Sequence, residues 1–174
     1  MIITKPLESE CTPYQWSYIS QVPETKDILG ELQVQLMDTI DLVTSLDDAT
    51  LLSSYAPGKW SILEILVHLM DGERVFAYRA LRIARKDKTP LAGYDENLFA
   101  TNSMANDRKI LGIVKEFSLL RASTIELFQS FTQEMWNEVG TANDTQLRTS
   151  FLPYMLCGHE IHHRNIIEER YIGK

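Results

Sequence analysis

The sequence predicts an all-α protein, an antiparallel four-helix bundle. Four long stretches carry apolar residues at three- and four-residue spacing, and no stretch shows sustained two-residue alternation. Between them lie polar segments with turn signals: Pro57-Gly58, and further on Pro90, Gly93, Asp95 and Asn97. Long amphipathic helices joined by such loops bury their apolar stripes against one another. The chain has 174 residues, no internal repeat and no Pro/Gly/Ser-rich linker, so one domain is expected over 1–174.

The first predicted helix covers 26–46, where Ile28, Leu29, Leu32, Leu36, Ile40 and Val43 form a stripe. The second covers 61–86. Ser61 followed by Glu64 is a capping-box signature, and Ile62, Ile65, Leu66, Leu69 and Phe76 form the main stripe. Leu63, Val67 and Met70 widen that stripe, as expected of a central helix. Arg79, Arg82, Arg85 and Lys86 gather at its end, where solvated cations suit the helix dipole. An anionic substrate is the alternative use for that row. A loop is expected over 87–105. The third helix covers 106–133, on Ile110, Ile113, Val114, Phe117, Leu120, Ile125 and Phe128. The polar segment 138–149 is expected to be a loop. The fourth helix covers 150–172, with Leu152, Met155, Leu156, Ile166 and Ile167 facing inward.

Composition excludes several classes of function. The chain is 44% hydrophobic and 24% charged, ordinary for a globular protein, with net charge −7. An acidic protein lacks the cations that neutralise phosphates, so no nucleic-acid partner is expected, and an anionic membrane surface is disfavoured for the same reason. No apolar run approaches the ~20 residues needed to span a bilayer. The two cysteines, Cys11 and Cys157, make neither a zinc-type pair nor a disulfide framework. Met1-Ile2-Ile3-Thr4-Lys5-Pro6 is too short in apolar residues for a signal peptide, and a reducing cytoplasm is expected.

The chemistry concentrates in the histidines. His68 lies mid-way along the second predicted helix, and His159, His162 and His163 lie on the fourth. His159 and His163 are four residues apart, so they project from one face, and that face is the apolar one. Burying imidazoles costs free energy unless they are hydrogen-bonded or ligated, and a divalent metal satisfies both at once. His68, flanked by Ile65-Leu66-Val67 and Leu69-Met70, is a candidate third ligand. Three neutral imidazoles leave an open position on zinc or a similar ion, the pattern of a catalytic site. The competing account is a set of core histidines bonded to carbonyls or carboxylates. Spacing fixes only two ligands, and His162 is an alternative to His163.

Trp60-Ser61-Ile62-Leu63-Glu64-Ile65-Leu66-Val67-His68-Leu69-Met70-Asp71 resembles the second-helix motif of the DinB/YfiT-like family. Gly158-His159-Glu160-Ile161-His162-His163-Arg164-Asn165 resembles its C-terminal H-x-x-x-H motif. The resemblance runs from about Ile28 to Tyr171. It implies a four-helix bundle with a divalent metal, zinc or nickel, on His68, His159 and His163. It implies a small-molecule substrate and a homodimer. Family members include S-transferases that use low-molecular-weight thiols, and others described as metal-dependent hydrolases. Three readings are therefore carried: a thiol-dependent S-transferase, a hydrolase using metal-activated water, and a bundle that binds metal without catalysis.

Other residues receive more modest expectations. Asp71, three residues after His68, is the candidate catalytic carboxylate, either orienting a ligand or moving a proton. An interhelical polar contact explains it equally well. Glu64 is expected to cap, Glu160 to face solvent or form a salt bridge, and Cys157 to be a small core residue. Trp60 is expected to staple its helix rather than line a pocket. Tyr94, Asp95 and Asn97 are candidate substrate contacts, although turn formation alone accounts for Asp95 and Asn97.

Overall fold

The computed structural model describes residues 3–173; Met1 and Ile2, which begin the stretch judged too short for a signal peptide, lie outside the described residues. In chain order the helices are α1 (Pro13–Ile19), α2 (Ile28–Thr44), α3 (Asp48–Leu51), α4 (Ile62–Ala84), α5 (Glu96–Asn102), α6 (Ile110–Gln129), α7 (Gln133–Asn137) and α8 (Leu152–Ile166). A hairpin of β1 (Val139–Ala142) and β2 (Thr145–Arg148) lies between α7 and α8. The four long helices, α2, α4, α6 and α8, are the four expected from the apolar stripes. Among the described residues, no helix is long and apolar enough to cross a membrane.

The long helices form a ring in which α2 and α4 each pack against both α6 and α8. Chain neighbours α2 and α4 thus lie across the bundle from each other. Local chemistry starts each helix where its stripe begins. Asp27 caps α2 by accepting from the Gly30 amide at 3.0 Å. At α4 the capping box is complete: Ser61 Oγ accepts from the Glu64 amide at 3.1 Å, and the Glu64 carboxylate accepts from the Ser61 amide at 2.7 Å. From Ile62 to Met70 only Glu64 is not fully buried, which confirms α4 as the central helix. Every residue of α8 from Leu152 to Ile161 is buried. The helix does not run α-helical to residue 172 but continues from Ile167 as a π-helix, Ile167–Ile172.

Three segments depart from expectation, and each is short enough that tertiary contacts decide its structure. The 87–105 segment holds α5, capped by the Asp95 carboxylate on the Asn97 and Leu98 amides at 2.9 and 3.0 Å. The 138–149 segment is a hairpin rather than a loop. Its two-residue turn, Asn143-Asp144, has φ of 50° and 58°, the geometry that suits the strand twist. Leu91 joins the hairpin edge, its amide donating to Thr141 O and its carbonyl accepting from the Asn143 amide, both at 2.9 Å. The N-terminal segment, for which no element was expected, forms α1. It starts with Thr12-Pro13, and Thr12 and Gln15 cap one another. α1 lies on α8 because Gly158 lets it: a Cβ there would stand 2.0 Å from Tyr18 O.

One ion cluster joins all four long helices. Arg121 of α6 donates from Nε to both Glu73 carboxylate oxygens of α4 at 3.1 Å, and from Nη2 to Glu73 Oε2 at 2.8 Å. The same Nη2 reaches Glu160 Oε2 of α8 at 2.9 Å, and Nη1 donates to the Leu32 carbonyl of α2. The three side chains are at most 1% exposed. Glu160 is thus salt-bridged as one expectation had it, but it faces the core rather than solvent. The helix carrying it is buried all round, so a position off the metal-facing stripe is still interior.

Removing the cation strands two buried carboxylates. Arg121→Met is expected to destabilise the fold by about 3–5 kcal/mol in urea denaturation. A loss under 1 kcal/mol would mean the cluster is not what holds the helices together.

Candidate metal centre

α4 supplies His68 and α8 supplies His159 and His163. One ring nitrogen from each lies within 4.8 Å of the other two. His68 Nε2 and His159 Nε2 are 2.9 Å apart. The fold thus brings one imidazole from the central helix against two from the last helix, one turn apart. His162 lines the same cavity but lies outside this cluster. Its ring packs edge-on to Tyr18 at 5.7 Å.

Burial keeps the cluster neutral. It pushes the His68 imidazole down to about 4, and nearby Glu96 only partly offsets this. Burial, then the His68 and His162 rings, takes His163 down to about 3. His159 falls well below its ordinary value through burial and through the other three imidazoles. Neutral imidazole is the form that ligates a metal.

The donor set fits a divalent ion. Nitrogens about 2.0–2.1 Å from a tetrahedral zinc stand roughly 3.3 Å from one another, within the span this cluster covers. Two facing Nε2 atoms need either one shared proton or one ion. His163 Nδ1 is buried with no hydrogen-bond partner among the described residues. The rings are also held from outside. Trp60 lies 4.7 Å from His68 and 6.4 Å from His163, centroid to centroid. Tyr18 packs edge-on to His159 at 5.2 Å, and Phe76 lies 6.2 Å from it. Trp60 is therefore a wall of the site, not only a helix staple.

The histidines open into a cavity of about 420 Å³. α1 contributes Tyr14 and Tyr18, α4 contributes Phe76 and Arg79, the segment before α5 contributes Tyr94, and the hairpin contributes Asn143 and Thr145. Arg79, expected at a solvated helix end, is 8% exposed and faces this cavity. Of the other candidates, Tyr94 lines the cavity, Asp95 serves α5 as its cap, and Asn97 lies on a neighbouring pocket by Trp60. Asp71 does not line the cavity; its carboxylate pairs with Arg74 at 3.4 Å. Glu96 does line it, at the exposed start of α5. Cys157 is fully buried, its thiol pushed up to about 12 by burial first, as befits a core residue rather than a nucleophile.

Tyr14, Tyr18 and Glu96 join the cavity wall although their place in the sequence gives no expectation of it. The Thr12-Pro13-Tyr14-Gln15 cap was a readable signal for α1, whereas nothing local marks Glu96 as facing the site.

A model of the DinB superfamily matches residues 31–167, which include every histidine. Among solved structures, YfiT from Bacillus subtilis matches with a TM-score of 0.70 over 95% of this chain and 90% of that one, at 19% identity. That protein is described as a probable metal-dependent hydrolase with an unusual four-helix bundle topology. At that identity the likeness shows the fold. No curated protein matches the chain.

Gly72 backs the His159 ring: a Cβ there would stand 3.2 Å from His159 Cε1 and 3.4 Å from Nδ1. Gly72→Ala is expected to weaken metal binding by about tenfold through ring displacement, as changes behind a ligand typically do. Competition with a chromophoric chelator measures it; unchanged affinity would show that the ring is not held from that side.

Proposed function

The chain belongs to the DinB superfamily, and from that premise we propose that it is a metal-dependent hydrolase of a small molecule. His68, His159 and His163 would hold the ion, zinc or nickel. The observation that carries the reading is the convergence of three neutral imidazoles at the wall of an open cavity.

When bound, a divalent ion on three neutral ligands keeps its double charge and an open position, and so acidifies a water or thiol placed there. The chain supplies the rest. Trp60, Phe76 and Tyr18 fix the ring planes and lower the polarity around them. Glu96 is the carboxylate that lines the cavity, and it is our proposed proton acceptor. Asp71, in contact with Arg74 outside the wall, would act at most through its neighbours.

A second reading keeps the same site. Three uncharged ligands leave the ion's charge uncompensated, which favours an anion such as a thiolate from a low-molecular-weight thiol. The protein would then be a thiol-dependent S-transferase. We place either enzyme in the cytoplasm, where Cys11 and Cys157 stay reduced, and expect a homodimer from the family resemblance.

Metal analysis of tag-free protein is expected to give about one equivalent, absent from His159→Ala. Turnover of an ester and amide panel, with and without added thiol, then separates the readings. Activity with water alone supports hydrolysis, and strict thiol dependence supports transfer. Failure to bind metal in the wild type would overturn both. On whichever substrate is found, Glu96→Gln is expected to reduce turnover by about 10²-fold and Asp71→Asn by much less. The reverse order would return the proton-transfer role to Asp71.

A further inference from the structure

We infer that the cavity takes a small molecule bearing a carboxylate or phosphate, anchored at its anionic end by Arg79 in the wall it shares with Tyr14 and Tyr94. Only the orientation of its other end, toward the histidines, rests on the metal-dependent reading above.

The placement follows from helix geometry. His68, Gly72, Phe76 and Arg79 are spaced four, four and three residues apart along α4. Eleven residues make three turns to within about 20°, so Arg79 lies on the His68 face, roughly 16 Å further along the axis. Helical side chains lean toward the N-terminus, which brings the guanidinium back toward the histidines. His68, Phe76 and Arg79 all line the one cavity.

Arg79 lacks what a buried cation ordinarily has. Among the described residues the buried arginines are Arg79 and Arg121. Arg121 is held by two carboxylates. Among the described residues, Arg79 has no carboxylate within ion-pair distance and makes one hydrogen bond, from Nη2 to Ala92 O at 3.0 Å. A guanidinium carries five N–H donors in a planar fork, so four are left without a bond to the described residues. Charged side chains are seldom buried without a partner, and a bound oxyanion is the partner this fork matches.

The surroundings offer hydrogen-bond donors, beside one carboxylate, Glu96, at the exposed start of α5. Tyr14 and Tyr94 line the same cavity as Arg79. Burial raises both phenols, Tyr94 to about 12, so each keeps its proton and remains a donor. A volume of about 420 Å³ sits at the small end of ligand cavities, fitting one acid of modest size.

Calorimetric titration of the full chain with benzoate, phenyl phosphate and the neutral isostere benzamide tests this. In the wild type, benzoate or phenyl phosphate is expected to bind about tenfold or more tightly than benzamide, the discrimination a charge-assisted pair gives. The tighter of the two anions names the class. The preference should vanish in Arg79→Gln, weaken in Arg79→Lys, and survive in His163→Ala. Equal binding of benzoate, phenyl phosphate and benzamide to the wild type overturns the inference, and this arm needs no variant to fold. A preference kept in Arg79→Gln but lost in His163→Ala overturns it too, because the anion would then sit at the histidines. A preference that depends on Arg79 in protein that binds no metal leaves the anion site standing and fails the metal reading alone.

Discussion

The Arg121 guanidinium in the centre of the bundle is the contact on which the rest depends. It reaches a carboxylate on α4, a carboxylate on α8 and a backbone carbonyl on α2 from its own place on α6. A buried ion cluster of this kind is poor evidence of high stability, because desolvation opposes the Coulomb gain. Its value lies in discrimination. An apolar core tolerates sliding of one helix past another, whereas a shifted register here would leave charges buried and unpaired. Glu160 is next in sequence to His159, and Glu73 comes five residues after His68. The cluster that sets the register of α4 against α8 therefore also sets where the imidazoles meet.

The geometry of the site is a consequence of that registry. The histidines come from two helices that are not consecutive in the chain, and loss of solvent around them, fullest at His68 and His159 and partial at His163, keeps them neutral. Around them the chain places the rings of Trp60, Phe76 and Tyr18 against the imidazoles. α1, the segment before α5 and the hairpin complete the cavity wall. Short peripheral elements thus line part of the cavity, while the long helices carry the histidines and Arg79, a division that lets loops vary without disturbing the centre.

The legible part of the molecule was the part governed by helical periodicity. Ser61 and Glu64 announced the start of α4, and the 159/163 spacing placed two imidazoles on one face. Position along the stripe also held the Arg79 signal, eleven residues from His68, but a cation near a helix end is ordinarily solvated, and that rule prevailed. Glu160 defeated the inference that a residue off the stripe faces water, since α8 is buried on every side. The hairpin was hidden by its turn. Asn143-Asp144 adopts the left-handed geometry that Asn-Gly would advertise, but with a weaker local signature. α5 and Glu96 were hidden because a seven-residue helix owes its place to packing, not to a pattern of its own.

The proposed function requires that His68, His159 and His163 together hold one divalent ion with a position left open. Cobalt(II) reads this directly, because four- and five-coordinate cobalt absorbs visible light far more strongly than the six-coordinate aqueous ion. Titration of the protein with cobalt should build an intense visible band that saturates at about one equivalent and shifts when a small anion is added. A weak spectrum like that of aqueous cobalt, or a band that His68→Ala leaves unchanged, would contradict the account.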